Sequence, residues 1–373
     1  NAGATAGEWA DAGGGGGFAL DSVSGTSPSL DVGTYNFFNQ ADLTGTTTVS
    51  FTNVPTEANW KYSYTGELNS GFTWYLGEAY ATGDTFRVGE KSSSPQSMVF
   101  GNSGNSFYIT GTSVDKVIQY NMTTAYDVTT ASFEDEVDVS AYHLNPRGIY
   151  FKADGLRVYL CGNTGDRVSR WDLSTAWDIS TASYNSHFSV AGQETNPSGV
   201  FFKSDGTKMY VIGYSGDDIN TYNLGTAWDV TTAVFSDNFA FSEESSPTDM
   251  YINSTGEYLF ICGTVNSSVY KYSLSTAWTI SSAILQETFY VGTEQQSVTG
   301  LTFKSDGYDM WVIGTTGDRI VNYQLGKRRT VNFPASVRGE ITPAKVGGKA
   351  TYEFMTLNGG TDVYLLGQTE VKQ

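Results

Sequence analysis

Asp249 is the one carboxylate in five short segments, PQSM, NPRG, NPSG, SPTD and SVTG, that recur about fifty residues apart along the 373-residue chain. A single carboxylate there lacks the second acid or base that glycoside hydrolysis requires. His143 lies three residues before Pro146 and His187 ten before Pro197, so the two histidines sit at different repeat offsets. They read as structural residues, not as ligands of one metal ion. No GxSxG, HExxH or phosphate-binding loop occurs. The aspartates of the TGDR and SGDD turns raise the question of calcium. Their column, Asp115, Asp166, Asp217 and Asp318, holds Ser267 in the fourth copy, and fits turn chemistry better. Trp177, Trp228 and Trp278 would suit sugar stacking, but their faithful repetition favours packing between repeats. No cofactor and no metal is expected.

These residues are positioned by a repeat. Taking Pro95, Pro146, Pro197, Pro247 and Val298 as anchors, the spacings are 51, 51, 50 and 51. Sixteen residues after the anchors stand Gly111, Gly162, Gly213, Gly263 and Gly314, and nine after them Gly104, Gly155, Gly206, Gly256 and Gly307. The ADG and SDG steps fall between alternating apolar runs, the mark of a tight hairpin. Each copy holds three antiparallel strands, such as GVFF, KMYVIG and INTYNL, and then a fourth, such as TAVFSDNFAFS. Four short strands per period of about fifty make a propeller blade. After the fifth anchor the fourth strand is missing. Before the first anchor, YLGEAYATGDTFRVGEKSSSP parallels the fourth strand of the next copy. Residues 75–89 are therefore expected to close the ring and remove an open sheet edge. Cys161 and Cys262 share a column in blades 2 and 4, which do not touch in a five-blade ring, so they are expected to be free buried thiols.

Composition agrees with an all-β reading. The chain has 24 Tyr, 21 Phe and 8 Trp, enough for a large core, and no convincing amphipathic helix. The formal net charge of −18 repels phosphate backbones and anionic lipid, so nucleic acid is not an expected partner. No apolar run reaches membrane-spanning length, so no membrane insertion is expected. The glycine-rich stretch 1–17 does not read as a signal peptide. It reads as a flexible or partner-bound arm whose one large apolar residue, Trp9, is an attachment anchor.

The sequence divides into that arm, a five-bladed β-propeller over 71–326, and two flanking segments, 18–70 and 327–373. The flanks alternate apolar and polar residues in short runs and are expected to join as one discontinuous β-sandwich into which the propeller is inserted. In the flanks, TGTTTVSFTNVP, TVNFPASV and YEFMTLNGGTDVYLLG resemble a β-sandwich module of bacteriophage tail fibres and other virion appendages. Phe333 stands where that family carries Trp, and Asn358 where it carries Asp. The blade sequence FKSDGTKMYVIGYSGDDINTYNLGTAWDVTTAVF likewise resembles repeats of phage structural proteins.

The resemblance implies a non-enzymatic virion protein, a tail fibre, spike or capsid decoration located in the virion. Its implied partners are other virion proteins and further copies of the chain, with a host-surface glycan as a ligand. A glycan-degrading tailspike-like enzyme and a bacterial surface adhesin are the alternatives. Recognition is expected where the copies differ, in the segments entering the innermost strands. That rim offers Glu194, Glu243, Glu244 and Glu294, with Arg147 and Asp249 at the strand starts, as ligand-binding candidates.

Overall fold

The structure is a computed structural model that describes residues 74–77 and 79–325 throughout. Outside them it describes the strands Leu20–Val23, Ser29–Asp31, Phe37–Gln40, Thr47–Thr48, Ser50–Thr52, Ala58–Thr65, Val331–Asn332, Val337–Arg338, Lys349–Leu357 and Asp362–Val371. By contacts the chain forms two compact units, Ala79–Leu325 and the pair Asn1–Glu78 with Gly326–Gln373. The second unit contains a six-stranded sheet drawn from both ends of the chain, with Ala58–Thr65 antiparallel to Lys349–Leu357. The expected β-sandwich is not shown by these strands. The arm 1–17 and Trp9 lie outside the described residues.

The first unit is an all-β propeller of five blades with no α-helix among the described residues. The innermost strands are Pro95–Gly101, Pro146–Phe151, Pro197–Phe202, Pro247–Ile252 and Val298–Phe303 in blades 1 to 5. Each lies against the next, and the fifth against the first, so they surround a central channel. Blade 5 takes its outer strand from the N-terminal side, Tyr80–Arg87, which pairs antiparallel with Arg319–Gln324.

Repeated side chains fasten blade to blade. One residue after the anchor, Ser198 Oγ donates to Pro247 O at 2.8 Å, Thr248 Oγ1 to Val298 O at 3.1 Å and Thr299 Oγ1 to Pro95 O at 2.9 Å. Between blades 1 and 2 the Thr110 hydroxyl takes this role, donating to Arg147 O. At the opposite end of the blades, Tyr108, Tyr159 and Tyr210 donate to the carbonyls of Trp177, Trp228 and Trp278 in the following blade, at 2.6, 2.7 and 2.8 Å. The repeated tryptophans are thus packing residues. Cys161 and Cys262 are free and buried.

Each tryptophan also lies over the hairpin glycine of its own blade. A Cβ on Gly206 would stand 2.4 Å from the Trp228 ring, and Gly206 has φ of +74°. A β-branched side chain there meets both backbone strain and the indole. Gly206→Val is therefore expected to cost about 3 kcal/mol or more. A denaturant midpoint equal to the parent's would contradict this packing.

Candidate functional site

Along each innermost strand alternate residues face the sheet interior or the axis. Residues three and five after the anchor, such as Val200 and Phe202, are buried between sheets. Two after the anchor stand Ser97, Gly148, Gly199, Asp249 and Gly300. There the strands crowd so closely that a Cβ on Gly148 would lie 2.7 Å from Gly199 Cα, and one on Gly300 2.7 Å from Ser97 Cα. Only the Ser97 and Asp249 side chains occupy this level.

Asp249 closes the channel. Its Oδ2 accepts from Ser97 Oγ at 2.7 Å and from the Leu301 N–H at 3.3 Å, and its Oδ1 from the Met250 N–H at 2.9 Å. Blades 4 and 1 are not neighbours, so the Ser97 bond spans the axis. The carboxyl is buried, and desolvation pushes its pKa up to about 7 despite these three donors.

On the side away from the entering loops, the channel widens into a cavity of about 380 Å³ with Asp249 and Ser97 among its lining residues. Its walls are the residues four after the anchor, Val99, Tyr150, Phe201, Tyr251 and Thr302. The half-buried rings of Tyr150, Phe201 and Tyr251 meet edge to face, at 5.1 and 5.5 Å between centroids. Burial pushes the Tyr150 and Tyr251 phenols well up, so both stay protonated. Ala153, Ser204, Ser254 and Ser305, all exposed, stand at the mouth.

Of the six expected rim residues, only Asp249 reaches this cavity. Glu194 and Glu244 are buried three residues before their anchors and tie loops together. Glu194 Oε1 accepts from the Asn196 and Ser215 N–H groups at 2.5 and 3.2 Å, and Glu244 from those of Ser246, Val265 and Asn266. Glu243 accepts from the Tyr272 hydroxyl at 3.1 Å, and Glu294 faces Arg319 at 3.8 Å. The Arg147 guanidinium covers the Tyr214 ring at 4.7 Å on the other rim. His143 Nε2 meets Ser169 Oγ at 2.6 Å in a buried contact, and burial lowers its pKa to about 4. His187 Nδ1 meets the Tyr184 hydroxyl.

Residues 84–284, more than half of the chain, match the model of the family described as "Lactonase, 7-bladed beta-propeller". The chain belongs to this lactonase family. It departs from the family's description in having five blades. A comparison with curated protein sequences finds no match. Among solved structures, a Lactobacillus plantarum protein is 13% identical with a TM-score of 0.41, over 64% of this chain and 72% of that one. A candidate 6-phosphogluconolactonase from Bacteroides uniformis is 12% identical with a TM-score of 0.38, over 73% and 70%. The Myceliophteria thermophila Cps50 (Swd1) propeller domain is 10% identical with a TM-score of 0.40, over 66% and 99%. At these scores the three likenesses add nothing to the family assignment.

Membership of the lactonase family overturns the resemblance to phage appendages. With it fall the tail-fibre, spike and decoration roles, the virion location and the expectation of a non-enzymatic protein. The physical reason is that the blade motif consists of residues any blade of this type needs. The Gly206 hairpin, the Tyr210 hydroxyl on the Trp278 carbonyl and the Trp228 indole hold sheets together whatever the ring does. The absence, among the described residues, of a second carboxylate beside Asp249 bears on glycoside cleavage and not on ester hydrolysis. Cleaving an acetal takes two such groups, whereas an ester carbonyl yields to water activated by one base.

Proposed function

We propose that this chain is a hydrolase that opens a lactone ring, with Asp249 as general base at the floor of the cavity. The observation that carries this reading is the placement of one carboxyl, buried and on the axis, where the cavity ends. In its ionised form Asp249 takes a proton from water as the water oxygen bonds to the lactone carbonyl carbon. The ring C–O bond then breaks, and the leaving alkoxide recovers that proton from the Asp249 carboxyl. The product is a hydroxy acid, which releases one proton at neutral pH. The protonated Tyr150 and Tyr251 phenols are the hydrogen-bond donors proposed for the developing oxyanion. The family supplies the substrate class, and the pKa of about 7 suits a base that must work near neutrality.

Proton release from a panel of γ- and δ-lactones, followed by pH-stat, tests the reading. Hydrolysis is expected to rise with pH through about 7 and then level off. If every lactone opens at its uncatalysed rate, the reading is wrong.

A further inference from the structure

The cavity has three levels, each a column of the repeat: small exposed residues at the mouth, an aromatic belt, and a polar floor. Among the described residues that line it, Asp249 is the only one that carries a formal charge. The lysines next to the mouth are already engaged. Lys203 pairs with Asp205 at 2.7 Å, Lys304 with Asp306 at 2.8 Å, and Lys152 with Asp154. An anionic substrate would find no lining cation, would face the Asp249 charge, and would approach a chain of net charge −18. At the level of the belt a polyhydroxylated ring would press its hydroxyls against Val99, Phe201 and the two tyrosine faces, where the polar groups are the Thr302 hydroxyl and the Tyr150 and Tyr251 phenols that the carbonyl oxygen engages.

We infer that the lactone taken here is uncharged and carries an apolar substituent, an alkyl or aryl group lying along Tyr150, Phe201 and Tyr251 while the ring carbonyl faces Asp249. This inference rests on the lactone-hydrolase reading above. Edge-to-face rings give the belt flat faces that turn successively around the axis, and such faces take up a flexible chain or a flat ring by area burial alone. The substituent points to the mouth, where small residues leave room for its length. The column is also the most varied of the axis-facing ones, with Val, Tyr, Phe, Tyr and Thr in the five blades.

The test is a homologous series. γ-Butyrolactone and its γ-alkyl homologues up to γ-decalactone are compared with glucono-δ-lactone, a carboxylate-bearing butyrolactone and α-amino-γ-butyrolactone. kcat/KM is expected to rise about two- to fourfold per added methylene, and Phe201→Ser to flatten that slope. The polyhydroxylated and anionic lactones are expected to fall at least about tenfold below γ-octalactone, and the cationic one to fall below it because its ammonium must shed water against the belt despite the attraction of Asp249. A flat series, or preference for any of those three, overturns the inference while leaving lactone hydrolysis standing. Binding of the matching lactams to the Asp249→Asn protein, measured by calorimetry, separates the two ideas. Alkyl-dependent binding without hydrolysis by the parent upholds the apolar specificity and removes the hydrolase reading. Absence of both binding and hydrolysis overturns both.

Discussion

The Asp249→Asn protein is expected to lose lactone hydrolysis by about 10²- to 10⁴-fold, the usual contribution of a general base, and to be more stable than the parent above pH 7. The second effect follows from the raised pKa. In the unfolded chain Asp249 ionises near its ordinary value, 3.8, and in the folded protein near 7. From about pH 4 to 7 the folded state therefore binds the proton that the unfolded state has released. Stability is fully present below the unfolded value and falls by about 1.4 kcal/mol per pH unit as pH rises, roughly 4 kcal/mol by pH 7. Asparagine has the shape of the protonated acid and no charge to desolvate. Its carbonyl oxygen can accept from Met250 N–H and its amide can donate to Ser97 Oγ, with the 3.3 Å bond from the Leu301 N–H as the one lost. Parent and variant should melt alike near pH 4 and diverge as pH rises, with the variant above. An Asn variant that melts below the parent at pH 8, or that turns over lactone at the parental rate, would refute the assignment.

The second large effect concerns Tyr80–Arg87. Deleting this strand is expected to leave a ring that does not melt cooperatively and that aggregates. Its loss uncovers the edge of Arg319–Gln324, whose partner it is. It also removes Phe86, which packs edge-on against Phe107 at 5.8 Å and Tyr120 at 5.3 Å in blade 1. Loss of a packed phenylalanine alone costs about 3–5 kcal/mol. With the ladder gone too, the total approaches the whole stability of a typical domain, about 5–15 kcal/mol. The free edge then invites pairing with another chain. Calorimetry and light scattering on the deletion protein decide the matter: a monomer with the parent's melting temperature would show that the ring does not depend on this closure.

The blades were legible because their signals are local. A hairpin glycine, an alternating run and a period of fifty are all read within one copy. The site was not, for physical reasons. The Ser97–Asp249 bond joins residues 152 apart, and nothing near either residue announces the other. The belt of Tyr150, Phe201 and Tyr251 looks like ordinary strand residues until alternation is combined with a closed ring. Then every second residue of five strands faces one axis. Glu194 and Glu244 misled because a carboxylate in a variable loop reads as exposed, whereas backbone N–H groups of adjacent loops bury both. Asp249 itself stood out in the sequence, but its raised pKa comes from burial, which no local pattern encodes.

Tyr80 and Gln324 are partners in one ladder, so the chain enters and leaves the propeller at hydrogen-bonded neighbouring positions. Seen from the chain on either side, the whole ring begins and ends as a single hairpin does. A host loop gains some 245 residues with its two ends held only a strand's width apart, and the closure entropy it must bear is that of a short turn, not of a long excursion.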